Sequence, residues 1–332
     1  MSNNKLLDRF KKYKKLNKLI LKNIENADDK CLIHSKNTDY LYSFNNNIFI
    51  IKKIGSKSSD ASIWLSKIKS YSNNYYFITK IQLFSDFTEQ LFLDKVSEYA
   101  IKYNNIHLPL YYGYLKCNNF NKFDLLLPEN INIQKKLNSF NYKNNYSTSY
   151  YSIFAELADG DIIKYTSEIL FSYIKLQNAI AQCFMALITF HNVGIYHRDS
   201  HLGNFLYHKI SSGGCVEYKY KGLIFYIENI GYNWVIWDFG RCINIDSNNK
   251  NDIYEDFSIL IESIIDERIY KKISLILAKD YEYKNYITGL DIILKIIEST
   301  KNDYLIIKKL IDKNMLFSKV PIGKIITTIN LK

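Results

Sequence analysis

The 332-residue sequence contains only 3 prolines and 12 glycines. This scarcity excludes long flexible linkers and collagen-like repeats. Hydrophobic residues make up 47% of the chain and charged residues 23%, which is ordinary globular usage and excludes disordered or fibrous proteins. A chain of this length can bury a substantial core, as one large domain or two moderate ones.

Cysteine and long apolar runs are scarce as well. The five cysteines are scattered, without a close pair, at Cys31, Cys117, Cys183, Cys215 and Cys242. This spacing does not fit a disulfide framework or a zinc site, and it predicts free thiols in a reducing compartment. No run approaches the roughly 18 apolar residues of a membrane span, and the N-terminus lacks the apolar core of a signal peptide. We therefore expect a cytoplasmic location.

Basic residues exceed acidic ones by 44 to 33, which gives a formal net charge of +11. The surplus of Lys, together with Asn, Ile and Tyr, extends over the whole chain and is typical of an AT-rich genome. Net charge bears on solubility and nonspecific binding rather than on fold. We therefore predict no specific nucleic-acid binding.

The N-terminal segment 1–44 is predicted to be a basic amphipathic extension. Its apolar residues recur at spacings of three and four with lysines between them, at Leu6, Phe10, Tyr13, Leu16, Ile20 and Ile24. This pattern predicts a helix over residues 5–24 that packs on the main body with its lysines in solvent. The alternative is a peripheral contact of this helix with an anionic membrane.

The rest of the sequence divides into a strand-rich part and a mainly helical part. Five short runs rich in aromatic and β-branched residues predict strands at 47–54, 63–68, 75–83, 110–117 and 150–156. One helix is expected at 87–103. Beyond residue 156 the pattern is mainly helical, interrupted by two short strands. We predict an α+β fold with a β-rich lobe at 45–155 and a mainly helical lobe at 156–332.

Two motifs carry the chemistry. Asp199 is followed five residues later by Asn204, and Asp238 begins the triplet Asp-Phe-Gly. Phosphoryl transfer to a hydroxyl needs a carboxylate that orients the hydroxyl and accepts its proton. It also needs hard oxygen ligands for magnesium, which an Asn amide and a second carboxylate provide. We therefore predict that Asp199 is catalytic and that Asn204 and Asp238 bind the metal.

The triplet His-Arg-Asp that ends at Asp199, the spacing to Asn204 and the later Asp-Phe-Gly occur in the order typical of kinases. The sequence thus resembles the protein-kinase superfamily. The resemblance implies a bilobal kinase fold that uses ATP and Mg²⁺, with Mn²⁺ as the alternative metal. It also implies that the substrates are proteins phosphorylated on Ser or Thr.

The same resemblance implies nucleotide-binding residues in the first lobe. Those expected at the phosphate loop and the base are Gly55, Ser56, Ser58, Ala61 and Ile63. Lys80 would contact the α and β phosphates, held by Glu89 or, as the alternative, by Glu98. Backbone groups around Glu156 and Ala158 would pair with the adenine edge.

Two departures from the kinase pattern matter. His201 stands where Ser/Thr kinases usually have a lysine, although an imidazole can donate a hydrogen bond to the γ-phosphate. Only fifteen residues, 241–255, separate Gly240 from Asp256, so the platform for a protein substrate is shortened. This abbreviated arrangement resembles the Ser/Thr kinases of large cytoplasmic DNA viruses, poxvirus-type and giant-virus kinases among them. It implies a location in the host cytoplasm or the virion.

Three functions are therefore open. A divergent Ser/Thr protein kinase is our prediction. A small-molecule kinase of the aminoglycoside or choline type is favoured by His201 and the short segment. A catalytically weak pseudokinase that acts as a scaffold is the third. The resemblance to kinases also implies that Asp256 braces the backbone of the catalytic loop.

Overall fold

The computed structural model describes residues 5–24, 32–34, 42–44, 47–54, 61–69, 74–82, 88–117, 150–168, 173–265 and 283–331. The chain divides into two compact units. The N-terminal unit comprises Phe10–Asp94 and Leu110–Leu157. The C-terminal unit comprises Met1–Arg9, Lys95–Pro109 and Ala158–Lys332. The lobe boundaries expected from the sequence stay a prediction.

The described helices are α1 Lys5–Ile24, α2 Thr88–Tyr103, α3 Ile162–Glu168, α4 Tyr173–Asn192, α5 Glu255–Ile265, α6 Tyr283–Thr300 and α7 Asp303–Asp312. The described strands are β1 Leu32–His34, β2 Tyr42–Phe44, β3 Ile48–Ile54, β4 Ala61–Lys69, β5 Asn74–Gln82, β6 Tyr111–Cys117, β7 Tyr150–Ala155, β8 Gly160–Asp161, β9 Ile195–Tyr196, β10 Phe205–Lys209, β11 Cys215–Tyr220, β12 Leu223–Glu228, β13 Tyr232–Ile236, β14 Ile243–Asn244 and β15 Ile325–Leu331. Within these ranges no helix combines the length and the apolar character that a membrane crossing requires.

The N-terminal unit is built on one antiparallel sheet with the strand order β1-β2-β3-β4-β5-β7-β6. Its core includes Phe77 and Phe154 from the sheet and Leu16 and Ile20 from α1, all four fully or almost fully buried. The intervening lysines of α1 are exposed. The prediction that this helix packs on the main body with its lysine face in solvent is therefore confirmed.

The C-terminal unit is organised around α4, whose residues from Ala179 to Phe190 are almost all buried. The Gln182 side chain of α4 donates to the Tyr232 carbonyl oxygen (3.0 Å) and accepts from the Trp234 amide (3.0 Å). These bonds fix strand β13 on the helix, because buried polar groups retain their partners. Strand β13 in turn pairs with β10, and these two strands carry Asn204 and Asp238 next to their ends.

The predicted α+β class, with a β-rich unit and a mainly helical unit, is confirmed. The bilobal protein-kinase-like arrangement of the two units stays a prediction. The five predicted strands of the first lobe are present within two residues of their predicted ends. The expectation that helix dominates to the end of the chain is wrong for Ile325–Leu331, which forms a strand parallel to β11. Its β-branched residues favour this state, and a strand that lies far away in sequence supplies its partner.

The cysteines differ in one respect from the prediction. Cys183, Cys215 and Cys242 are free and buried, as the sequence predicts. Cys117, at the end of β6, is disulfide-bonded. The expectation of free thiols is therefore wrong for Cys117, because scattered positions in sequence do not exclude neighbours in space.

Candidate active site

The loop that follows β9 contains Asp199, and Asp256 of α5 holds its backbone. The two carboxylate oxygens of Asp256 accept from the amides of His197 (2.9 Å) and Arg198 (2.8 Å). Arg198 has a φ of +65°, which is strained for a residue with a side chain and persists only when its surroundings fix it. Asp256 is fully buried. The expected bracing of the catalytic loop by Asp256 is therefore confirmed.

Asn204 closes the other end of this loop. Its amide nitrogen Nδ2 donates to the backbone oxygen of Asp199 at 2.7 Å. An amide that uses its NH₂ group in this way keeps its oxygen as an acceptor on the other side. The Asn204 oxygen therefore has the chemistry of a ligand for a hard cation.

Strand pairing brings Asp238 next to Asn204. Strands β10 and β13 run antiparallel with Phe205 opposite Ile236, and the Trp237 amide donates to the Asn204 carbonyl oxygen at 2.7 Å. Asp238 directly follows Trp237 and has a φ of +64°, a conformation that Asp tolerates better than most residues. The two motifs thus meet at one end of this strand pair, while the roles of their residues stay predictions.

The His197 ring links the two motifs a second time. The Asp199 amide approaches its Nδ1 at 3.3 Å, so the ring proton lies on Nε2, which donates to the Trp237 carbonyl oxygen at 3.0 Å. Burial lowers the pKa of His197 even though the carboxylates of the site oppose the shift. The ring is therefore neutral, as this pattern of one donor and one acceptor requires. Phe239 is buried against the same ring, with the centroids 6.2 Å apart.

His201 lies at the start of the 3-10 turn Leu202–Asn204. Its Nδ1 accepts from the Gly203 amide at 3.1 Å. In the neutral ring the proton is then on Nε2, which is able to donate to an anion. This arrangement fits the predicted contact of His201 with the γ-phosphate.

Arg241 is a neighbour of Asp199 that the sequence analysis missed. Its Nη1 lies 3.5 Å from Oδ1 of Asp199, and its side chain is 72% exposed. A pair this exposed is weak because both groups remain solvated. The only sequence signal was a cation directly after Asp-Phe-Gly, and that position alone did not show which carboxylate it would approach.

In the N-terminal unit, Lys80 on β5 pairs with Glu89 in the first turn of α2. Lys80 Nζ lies 2.5 Å from Glu89 Oε1, and both side chains are largely buried. The predicted partnership with Glu89 is therefore present, whereas Glu98, the alternative, is exposed. A largely buried ion pair needs this closeness, because the attraction has to offset the loss of hydration.

The sheet places further predicted residues beside Lys80. Ile63 on β4 lies directly opposite Lys80, and Ala61 is on the same face because side chains alternate along a strand. Ile153 of β7 is opposite Lys80 on the other side, and the sequence analysis did not select it. The three remaining residues of the predicted phosphate loop, Gly55, Ser56 and Ser58, lie outside the described residues.

The predicted adenine contacts begin where β7 ends. The Glu156 amide donates to the Leu110 carbonyl oxygen at 2.9 Å, and Oε1 of Glu156 accepts from the Leu110 amide at 2.9 Å. The Glu156 amide already donates to the Leu110 carbonyl oxygen. Of the Glu156 backbone groups, only the carbonyl oxygen is therefore left for the predicted contact with adenine. Ala158 is the first residue of its segment of the C-terminal unit, and its contact with adenine stays a prediction.

The donor set at the strand ends fits magnesium. In the part of the chain that the structure describes, no group of three or more His, Cys, Asp or Glu side chains is placed to hold a metal ion. Magnesium differs from zinc in needing few protein ligands, since it is held by one or two side chains with substrate phosphates and water. The Asn204 amide oxygen and the Asp238 carboxylate meet that requirement.

Glu89→Gln is expected to lower kcat/KM for ATP by about 10- to 100-fold, since a hydrogen bond to a charged group contributes about 1.5–3 kcal/mol. The change keeps the side-chain volume but removes the charge that holds Lys80. Steady-state kinetics with varied ATP measure the effect. Glu98→Gln, at an exposed position of the same helix, is the matched control and should match wild type. Equal losses in the two variants would contradict the assignment of Glu89.

Comparison with known proteins finds similarity among solved structures. No family model matches the sequence, and no curated protein matches it. Among solved structures the chain is similar to the crystal structure of the BubR1 kinase domain, with 13% sequence identity and a TM-score of 0.42. The match covers 75% of this chain and 64% of the BubR1 chain.

Proposed function

We propose that the protein transfers the γ-phosphoryl group of ATP, with Mg²⁺ or Mn²⁺, to Ser or Thr hydroxyls of protein substrates. One observation carries this proposal. The Asn204 side chain bonds the Asp199 carbonyl oxygen, and the Asn204 carbonyl oxygen receives the amide of the residue before Asp238. These bonds join the segments that carry Asp199, Asn204 and Asp238. They support the proposal, because phosphoryl transfer to a hydroxyl needs a carboxylate that accepts the proton and hard oxygen ligands for the metal.

In the proposed reaction the Asp199 carboxylate orients the acceptor hydroxyl and accepts its proton. Asn204 and Asp238 would hold the metal ion, which neutralises phosphate charge when bound. His201 donates from Nε2 to the γ-phosphate, and Lys80, held by Glu89, positions the α and β phosphates. Positioning and charge stabilisation supply most of the rate in this chemistry.

A second candidate is a small-molecule kinase. Between Gly240 and α5 the segment 241–254 contains only the two-residue strand β14, which pairs with β9, and turns. Such a short segment presents little surface to an extended protein substrate, whereas a small alcohol would not need a docking surface.

The likeness to kinases of large cytoplasmic DNA viruses is part of the proposal and favours protein substrates. It includes a location in the host cytoplasm or the virion.

One assay separates the candidates. Purified protein is incubated with labelled ATP and magnesium beside basic and acidic test proteins, sugars, aminoglycosides and choline-like alcohols. We expect label on Ser or Thr of the proteins, identified by phosphoamino acid analysis. Label in a small alcohol instead would establish the second candidate. ATP binding in a thermal-shift assay without turnover on any acceptor would favour a scaffold.

A further inference from the structure

A buried cluster of charge lies behind the catalytic loop. The His191 ring of α4 stands between two carboxylates, with Nε2 at 3.0 Å from Asp256 Oδ2 and Nδ1 at 2.6 Å from Asp303 Oδ2. The three side chains are 3%, 0% and 8% exposed respectively. Asp256 is the residue that holds the loop, whereas Asp303 comes from α7 and was not selected by any sequence motif.

The number of protons on His191 follows from this geometry. A neutral imidazole has one N–H and can donate to one carboxylate only. Its second nitrogen would then turn a lone pair toward the oxygen of the other carboxylate at hydrogen-bond distance. When both carboxylates are ionised, only the imidazolium form donates to both Asp256 and Asp303, and the two short contacts then correspond to a doubly protonated ring.

Electrostatics favours the same state. Burial by itself lowers the pKa of His191, but the charge of Asp303 and the bonds to both aspartates outweigh it and raise the pKa to about 10. Asp303 is the first residue of α7 and follows the N-cap Asn302, where the helix dipole favours a negative charge. Oδ1 of Asp303 has no hydrogen-bond partner among the described residues. The bond of its other oxygen to His191 is therefore its main compensation for burial.

Few other ionisable groups face the cluster within the described ranges. His197, on the catalytic loop, has its pKa lowered by burial and is neutral. Tyr220, on β11, has its pKa raised by burial and by Asp303, so its phenol is neutral as well. The Phe257 ring of α5 stands edge-on to the imidazole, with the centroids 5.6 Å apart. The two aspartates are thus the charges to which His191 responds.

We propose that Asp303 is a positioning residue for phosphoryl transfer: it keeps His191 doubly protonated, so that Asp256 stays oriented to receive the amides of His197 and Arg198. The inference rests on the proposed function, since the loop that is held carries Asp199. Without Asp303, a neutral His191 would still donate to Asp256, but through an uncharged N–H, which binds a carboxylate more weakly than an imidazolium does. The Asp256 carboxylate is then held less firmly, and the strained backbone at Arg198 loses part of its support.

The effect depends on pH with a definite sign. In the folded protein the pKa of His191 lies above its ordinary value of about 6.5. Its stabilising contribution is therefore complete below about pH 6.5 and is lost as the pH rises through about 10. Asp303→Asn removes one of the two charges that raise this pKa, so the loss moves to lower pH. Variant and wild type should agree near pH 6 and diverge above pH 7.

The test compares Asp303→Asn with Asp312→Asn, which removes an exposed carboxylate from the same helix. In Asp303→Asn we expect kcat near wild type at pH 6 and about tenfold lower or more at pH 8.5, with KM for ATP changed less than about twofold. Hydrogen exchange at the amides of His197 and Arg198 should become about tenfold faster at pH 8.5 and stay unchanged at Ile188 of α4. Asp312→Asn should follow wild type in every measurement.

A lower melting temperature with an unchanged pH profile and unchanged exchange at the two amides would show that Asp303 is only structural. Should Asp303→Asn fail to fold, ¹⁵N-histidine spectra of the wild type decide. One of the six histidines must keep both ring protons at pH 8.5, and titration of all six below pH 8 would overturn the proposal. The spectra and the exchange rates do not need turnover, so they remain decisive if no acceptor is phosphorylated and the proposed function fails.

Discussion

Asp199→Ala is expected to lower turnover by about 10²- to 10⁴-fold, the usual contribution of a proton-accepting group. The loop should survive the change, because Asn204 bonds the backbone oxygen of Asp199 and alanine retains that oxygen. The described partner of the lost carboxylate is the exposed Arg241. Removing this carboxylate therefore leaves no buried charge without a partner, and the free energy of unfolding should change little.

The measurement is turnover of labelled ATP, with nucleotide affinity followed separately by thermal shift. Affinity for ATP with magnesium should stay within about threefold of wild type, because the lost group acts on the acceptor rather than on the nucleotide. Asp291→Ala, at an exposed position of α6, is the control for removing a carboxylate. Near-normal turnover of Asp199→Ala would show that another group accepts the proton.

Asp238→Asn is expected to weaken magnesium binding and to lower turnover by about 10²-fold or more, since a metal ion contributes several kcal/mol to stabilising developing charge. Asparagine is the appropriate replacement because the φ of Asp238 is +64°. Asn adopts this left-handed conformation more readily than Ala, so the strand end keeps its geometry. The loss of turnover in Asp238→Asn then measures the contribution of the negative charge of Asp238.

A magnesium titration of turnover and of ATP binding checks this prediction. The wild type should saturate, and a chelator should abolish its turnover, whereas Asp238→Asn should need much more magnesium. Asp252→Asn, an exposed change in the segment before α5, should give the wild-type curve. If the titration curve of Asp238→Asn coincided with that of wild type, Asp238 would not be a metal ligand.

Local sequence patterns were sufficient to predict features that are formed by residues close together in the chain. The runs of aromatic and β-branched residues predicted the strand of Lys80 and its neighbours, and the resemblance to kinases implied Glu89, or alternatively Glu98, as its partner. The two catalytic motifs were recognisable because each one lies within a few residues of chain. The pairing of β10 with β13 brings the motifs together, and the sequence analysis did not predict this pairing.

Contacts between residues that are far apart in the chain could not be predicted from the sequence. Nothing in the spacing around Asp303 indicates that its carboxylate meets a histidine of α4, because helix packing decides which faces come together. Arg241 lies near Asp199 because of the course of a short irregular segment. Such a segment has no periodic sequence pattern from which its course could be predicted. Cys117 was misassigned for the same reason, since distance along the chain says little about distance in space.

The parallel pairing of β15 with β11 has a consequence for biosynthesis. Residues 215–228 form a hairpin inserted between β10 and β13, and an isolated hairpin is only marginally stable in water. Its third strand, Ile325–Leu331, is synthesised about a hundred residues later, and closing so long a loop delays pairing. A nascent chain on the ribosome therefore contains both predicted catalytic motifs well before the strand that completes the sheet formed by the hairpin between them. The C-terminal unit is complete only after translation has passed this strand.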